Sequence, residues 1–121
     1  MINTVLFLLL ALQVKHWYVD FVIQTTAEVN GKGIYGNIEG IKHSAKHLLG
    51  TLLVFLLILG PTYIIPAFIA SAIDFVTHYH IDWAKMNYGN RDITNPKFWN
   101  HLGLDQMLHH TVYLFLAYSL V

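Results

Sequence analysis

Cysteine is absent from the 121-residue chain. That excludes a disulfide framework, a thiol nucleophile and any cysteine-based zinc site. Charge is scarce as well: Asp, Glu, Lys and Arg together make 12% of residues, whereas a soluble domain carries about 25%. Seven basic and seven acidic residues cancel, so no basic face for nucleic acid is indicated. Low-complexity tracts are missing, and proline occurs only three times. Apolar residues, by contrast, fill 55% of the chain, with a mean hydropathy of +0.49. This excludes a disordered chain and points to a lipid bilayer as the main partner. One polar residue type runs against the trend: eight histidines outnumber the seven Lys and Arg.

Four apolar stretches have the length a bilayer span needs, about 20 residues each. They predict an all-α polytopic membrane protein, a single transmembrane domain over 1–121, built as an antiparallel bundle of four helices. The helices fall at about 3–26, 40–60, 62–87 and 100–121. Two polar connections, 25–40 and 86–100, hold the turn formers Asn30-Gly31, Gly36-Asn37, Gly89-Asn90 and Asn95-Pro96. The first stretch reads as a span rather than a cleaved signal, because it lacks a basic start and continues apolar through Phe21 and Ile23. Lys15, Lys32, Lys42, Lys46, Lys85, Arg91 and Lys97 all lie in or beside the two polar connections. The positive-inside rule then predicts both connections in the cytoplasm and both termini outside.

Each predicted helix carries ionisable residues four apart, a spacing that stacks side chains along one face. The first helix has His16, Asp20 and Gln24; the second has Glu39, His43 and His47. The third has Asp74, His78 and Asp82, and the fourth His101, Asp105 and His109. In an antiparallel bundle these stripes coincide in depth. His16, His47, Asp74 and His109 are expected in the deepest layer, with Asp20, His43, His78 and Asp105 in the next. A charge in hydrocarbon costs roughly 2.5–3.5 kcal/mol on insertion scales, so such residues face one another or a cavity and mark function. One or two such groups could serve as hydrogen-bond glue between helices; four stripes at matched depth exceed that need. Mixed imidazole and carboxylate ligands suit Zn, Mn or Fe. The expected ligands of one or two such ions are His16, Asp20, His43, His47, Asp74, His78, Asp82, Asp105 and His109, with Asp20 and Asp82 as candidate general bases. His80 and His110 lie off the stripes and read as packing or interfacial residues. Lys15, Lys42 and Lys46 are expected to snorkel to the headgroups, and Lys85 to be solvated.

The segments His16-Trp-Tyr-Val-Asp20, His43-x-x-x-His47, His78-Tyr-His-Ile-Asp82 and Asp105-Gln106-Met-Leu-His109 together resemble a family of small bacterial and phage integral-membrane proteins known only as a domain of unknown function. The resemblance implies a helical protein of the bacterial, or phage-infected host, inner membrane and brings no activity with it. A looser similarity links the motifs to membrane-bound metal-dependent hydrolases. Four functions are therefore weighed. The first is a metal-dependent hydrolase acting on a lipid or lipid-linked substrate. The second is a proton or divalent-cation transporter. The third is a protein-binding membrane factor with a structural polar core. The fourth is a di-iron oxidase, which the absence of longer histidine boxes disfavours. A homo-oligomer is compatible with all of them.

Overall fold

The computed structural model describes residues 2–121, and among them every regular element is helical. Helix α1 spans Ile2–Trp17 and runs into a wide π turn at Tyr18–Val22. A short helix α2 covers Thr26–Gly31, α3 covers Ile38–Leu59, α4 covers Ile64–Tyr88 and α5 covers Pro96–Leu120. The helix starts follow local chemistry. Asn37 and Asn95 each accept a backbone N–H of the first turn, from Glu39 and Lys97, and Pro96 takes the first helical position, where its missing N–H costs nothing. Gly60, at φ 90°, ends α3, and a single 3-10 turn, Pro61–Tyr63, leads straight into α4.

Three helical segments, Ile2–Val22, Ile38–Leu59 and Pro61–Tyr88, are long and apolar enough to cross a membrane. Helix α5 is as long as α4, at 25 residues, but its first half is diluted by Asn100, His101, Asp105, Gln106, His109 and His110. The sequence expectation of four spans is therefore supported by hydropathy for three. Large apolar side chains such as Phe7, Leu10, Leu53, Leu57, Phe68 and Phe115 face outward and are more than half exposed. Water tolerates so much exposed apolar surface poorly, which is consistent with a membrane location.

The interior is divided along its length. At one end Leu8, Leu12, Phe55, Leu116 and Tyr113 pack into a core with Ala67, Ala70 and Ala117. The alanines let α4 and α5 approach closely, as in membrane helix packing. At the other end, nearer the two long connections, the buried residues are almost all ionisable. Helix α2, which the sequence reading took for part of a loop, closes this end. Thr25 and Glu28 form a reciprocal capping box. Gly40 lets α2 lie directly on α3, since a Cβ there would come within 2.9 Å of Lys32 Cα.

Candidate metal centre

The side chains of the stripes converge, contributed by the C-terminal halves of α1 and α4 and the N-terminal halves of α3 and α5. His16, Asp20, His43, His47, Asp74, His78, Asp82, Asp105 and His109 are all at most 7% exposed. A regular α-helix advances about 100° per residue, so each step of four drifts by about 40°. From Leu8 through Leu12 and His16 to Asp20 that drift would carry Asp20 off the inner face. The π turn at Tyr18–Val22 takes up the drift and keeps Asp20 stacked on His16, whose Nε2 lies 3.1 Å from Asp20 Oδ2. The helix ends at the Ile23 cap, and Gln24 Nε2 donates to the Asp20 carbonyl of its last turn at 2.8 Å. Single π turns of this kind are frequent at functional sites.

Asp20 Oδ1 is the focus of the cluster. It lies 2.9 Å from His43 Nε2, 2.8 Å from His47 Nε2 and 3.5 Å from His78 Nε2. His43 Nε2 and His78 Nε2 are themselves 3.3 Å apart. A tetrahedral ion bound at 2.0–2.1 Å has ligand-to-ligand edges of about 3.3 Å; the 3.3 and 3.5 Å separations are near that. The 2.8 and 2.9 Å contacts of Asp20, which are hydrogen-bond lengths, would open by about 0.5 Å to admit it. A second group joins His78, Asp82 and His109. His78 Nε2 is 3.2 Å from Asp82 Oδ2, and His109 Nε2 is 3.2 Å from Asp82 Oδ1 and 3.1 Å from Asp105 Oδ1. Asp82 Oδ2, His43 Nδ1 and His78 Nδ1 are buried without a hydrogen-bond partner. Such orphans are rare in native interiors. Asp82 Oδ2 nonetheless faces cationic and imidazole nitrogens, Lys32 Nζ at 3.3 Å and His78 Nε2 at 3.2 Å, without a well-formed hydrogen bond to either.

Lysine placement separates the carboxylates. Lys15 Nζ donates to Asp74 Oδ2 at 2.8 Å, Lys85 Nζ to Asp105 Oδ2 at 3.0 Å, and Lys32 Nζ stands 3.3 Å from Asp82 Oδ2. Asp20 is ringed by imidazoles instead, those of His16, His43, His47 and His78. A buried carboxylate needs a compensating charge, and Asp20 is the one stripe aspartate to which no lysine supplies it. Glu28, just outside, pairs with Lys46 and faces His43 Nδ1 at 3.9 Å. Burial pushes the Glu28 carboxyl up, but Lys46 and the Thr25 N–H outweigh it and hold it below the usual carboxylate range.

Other residues go elsewhere than expected. Lys15 does not snorkel. It is 7% exposed and points inward to Asp74, to Tyr113 OH at 2.9 Å and to His47 Nδ1 at 3.0 Å. The opening is made by Gly50, where a Cβ would meet Lys15 Cγ at 2.6 Å. Asp74, further held by Thr51 Oγ1 at 2.5 Å, thus sits in a deeper ion pair and outside both convergent groups. Lys85 is paired with Asp105 rather than solvated, and Lys46 with Glu28 rather than with headgroups alone. His101 accepts the Asn90 N–H at 2.7 Å and so anchors the connection rather than joining the cluster. Glu39 pairs with Lys42 at the surface, and His80 bonds Tyr35 and the Val76 carbonyl there. The stripes also run one turn deeper than the sequence reading took them. Thr51 and Tyr113 each lie four residues beyond a stripe histidine, and Gln106 Oε1 meets His16 Nε2 at 2.7 Å.

These features define a class: an all-helical protein with membrane-length apolar helices and a buried His/Asp cluster able to hold a metal ion. The chain belongs to the family described as protein of unknown function (DUF3307), whose model matches residues 6–121. No curated protein and no solved structure matches it.

Proposed function

We propose that this chain is a metal-dependent hydrolase of the bacterial inner membrane, acting on a lipid or lipid-linked substrate. The carrying observation is Asp20, the stripe aspartate without a lysine, whose Oδ1 lies 2.8–3.5 Å from three histidine Nε2 atoms. Asp20, His43, His47 and His78 would hold one divalent transition ion there. That ion would lower the pKa of bound water and polarise a phosphoryl or acyl oxygen. Asp82, whose Oδ2 lies beside the ligands without a well-formed hydrogen bond, would be the base that takes the proton of attacking water. Lys32 pairs with it at 3.3 Å and orients it. Lys85 does the same for Asp105, which in turn holds His109.

Transport is disfavoured by the apolar core, where Leu8, Leu12, Phe55 and Leu116 are fully buried and offer no polar path onward. Elemental analysis of protein purified in mild detergent, without a polyhistidine tag, checks the central claim. One equivalent of Zn, Mn or Fe is the expected result. A well-folded protein free of metal would instead favour the protein-binding factor with a structural polar core.

In the membrane the four long helices would form an antiparallel bundle, with both termini outside and the metal centre at cytoplasmic headgroup depth. Because the chain has no cysteine, single-cysteine labelling is clean. Asn30→Cys, on exposed α2 surface, should resist an impermeant thiol reagent in intact cells, and a cysteine appended after Val121 should react. The reverse pattern would invert the topology.

A further inference from the structure

A cavity of about 290 Å³ opens at the loop end beside the cluster. Its polar lining is Gln24, Lys32, Lys85, Asn90, Arg91 and His101, with no carboxylate. Two of its three cations reach through to the metal centre, Lys32 to Asp82 at 3.3 Å and Lys85 to Asp105 at 3.0 Å. An ammonium carries three donors, so each lysine can hold its aspartate and still present an N–H to the cavity. Arg91 is exposed and engages no other described residue through its side chain; its fork of five donors suits a multi-oxygen anion. A second, mostly apolar groove of about 480 Å³ runs between α4 and α5 along Ile81, Ala84, Leu104 and Leu108. The two spaces adjoin at Lys85 and His101, which line both.

We propose that the cavity and groove together bind an amphiphile carrying a phosphate: the phosphate sits among Lys32, Lys85 and Arg91, and the acyl chain lies in the α4–α5 groove. Lys32 and Lys85 are already paired with Asp82 and Asp105, and Asp105 also lines the groove. Arg91 therefore supplies the unpaired charge and the two ammonium groups supply further N–H donors, a set that suits the several oxygens of a phosphate. The groove surface on α4 and α5 is what a lipid chain would cover. The inference rests on the hydrolase reading for the fate of the phosphate and names the substrate class of that site, a lipid phosphate ester.

The test is thermal stabilisation of the detergent-solubilised full chain by dioctanoyl phosphatidic acid, dioctanoylglycerol and inorganic phosphate. Phosphatidic acid should stabilise at the lowest concentration and dioctanoylglycerol hardly at all. Arg91→Gln should raise the half-saturating concentration about tenfold or more, the worth of a charge-assisted hydrogen bond. Leu104→Trp, which fills the groove, should weaken the response to phosphatidic acid and spare that to inorganic phosphate. Equal responses to phosphatidic acid and inorganic phosphate would overturn the amphiphile and leave a free-phosphate site. Equal responses to phosphatidic acid and dioctanoylglycerol, or indifference to Arg91→Gln, would overturn the phosphate seat. Metal content measured on the same samples separates the two readings. Metal without a phosphate response sinks this site alone; an Arg91-dependent response in metal-free protein sinks the hydrolase alone.

Discussion

His47→Ala should strip the metal and lower thermal stability together. His47 Nε2 lies 2.8 Å from Asp20 Oδ1 and its ring is fully buried. Losing a residue that merely orients a ligand costs about 10–100-fold in metal affinity, so losing a ligand should cost more. Metal binding free energy is also folding free energy. At free metal 100 times the Kd the bound ion adds about 2.7 kcal/mol, and a chelator should remove that from the wild type. The variant, with little metal to lose, should respond less to the chelator. His80→Ala, on the exposed face of α4, should change neither metal content nor stability. The measurements are elemental analysis and unfolding midpoints with and without chelator. Wild-type stability indifferent to chelator would refute the metal centre, because a hydrogen-bonded polar core has nothing for a chelator to take.

Asp74→Leu is expected to cost about 3–5 kcal/mol, the usual penalty for leaving one member of a buried ion pair alone. Here the stranded group is the Lys15 ammonium, 7% exposed, left with Tyr113 OH, because His47 Nδ1 carries a proton once Nε2 binds metal. Lys15→Met alone should be costly for the mirror-image reason, although Thr51 still donates to Asp74. The double variant should recover most of the loss, because an apolar pair of similar volume avoids the desolvation penalty. A double-mutant cycle in detergent reads this coupling. Metal content should stay at wild-type level in Asp74→Leu. A loss of metal there would bring Asp74 back among the ligands, where the sequence alone had placed it.

The separation of Asp74 from the ligand group indicates what sequence could and could not carry. Spacing of four residues fixed which side chains share a helix face, so the burial and convergence of His16, Asp20, His43, His47, His78, Asp82, Asp105 and His109 were legible. It did not say which carboxylate meets a lysine. Lys15 sits one residue off its stripe, and its inward course depends on Gly50 across the interface. A small residue interrupting the run Leu48-Leu49-Gly50-Thr51-Leu52 was the available signal. Helix α2 was signalled by Thr25 and Glu28 at capping-box spacing, yet six residues are too few for apolar periodicity to register. Tyr113 and Thr51 continue their stripes by one step, but neither ionises near neutrality, so a search for charge passed over them. The polar half of α5 shows the opposite effect: the residues that make the site lower its hydropathy, and α5 is not among the three helical segments apolar enough to cross a membrane.

The wide turn at Tyr18–Val22 sets two demands on the chain against each other. It amounts to one residue inserted into a helix, kept in place although the regular α form would be the better backbone. Relaxing it to the regular α form with every residue kept would give α1 an unbroken hydrogen-bond ladder. The same relaxation would turn everything after it by about 100° relative to Leu8 and Leu12, and Asp20 would no longer face His43 and His47. A more stable helix and an assembled centre are thus alternatives at this one turn, and the folded chain holds the second at the expense of the first.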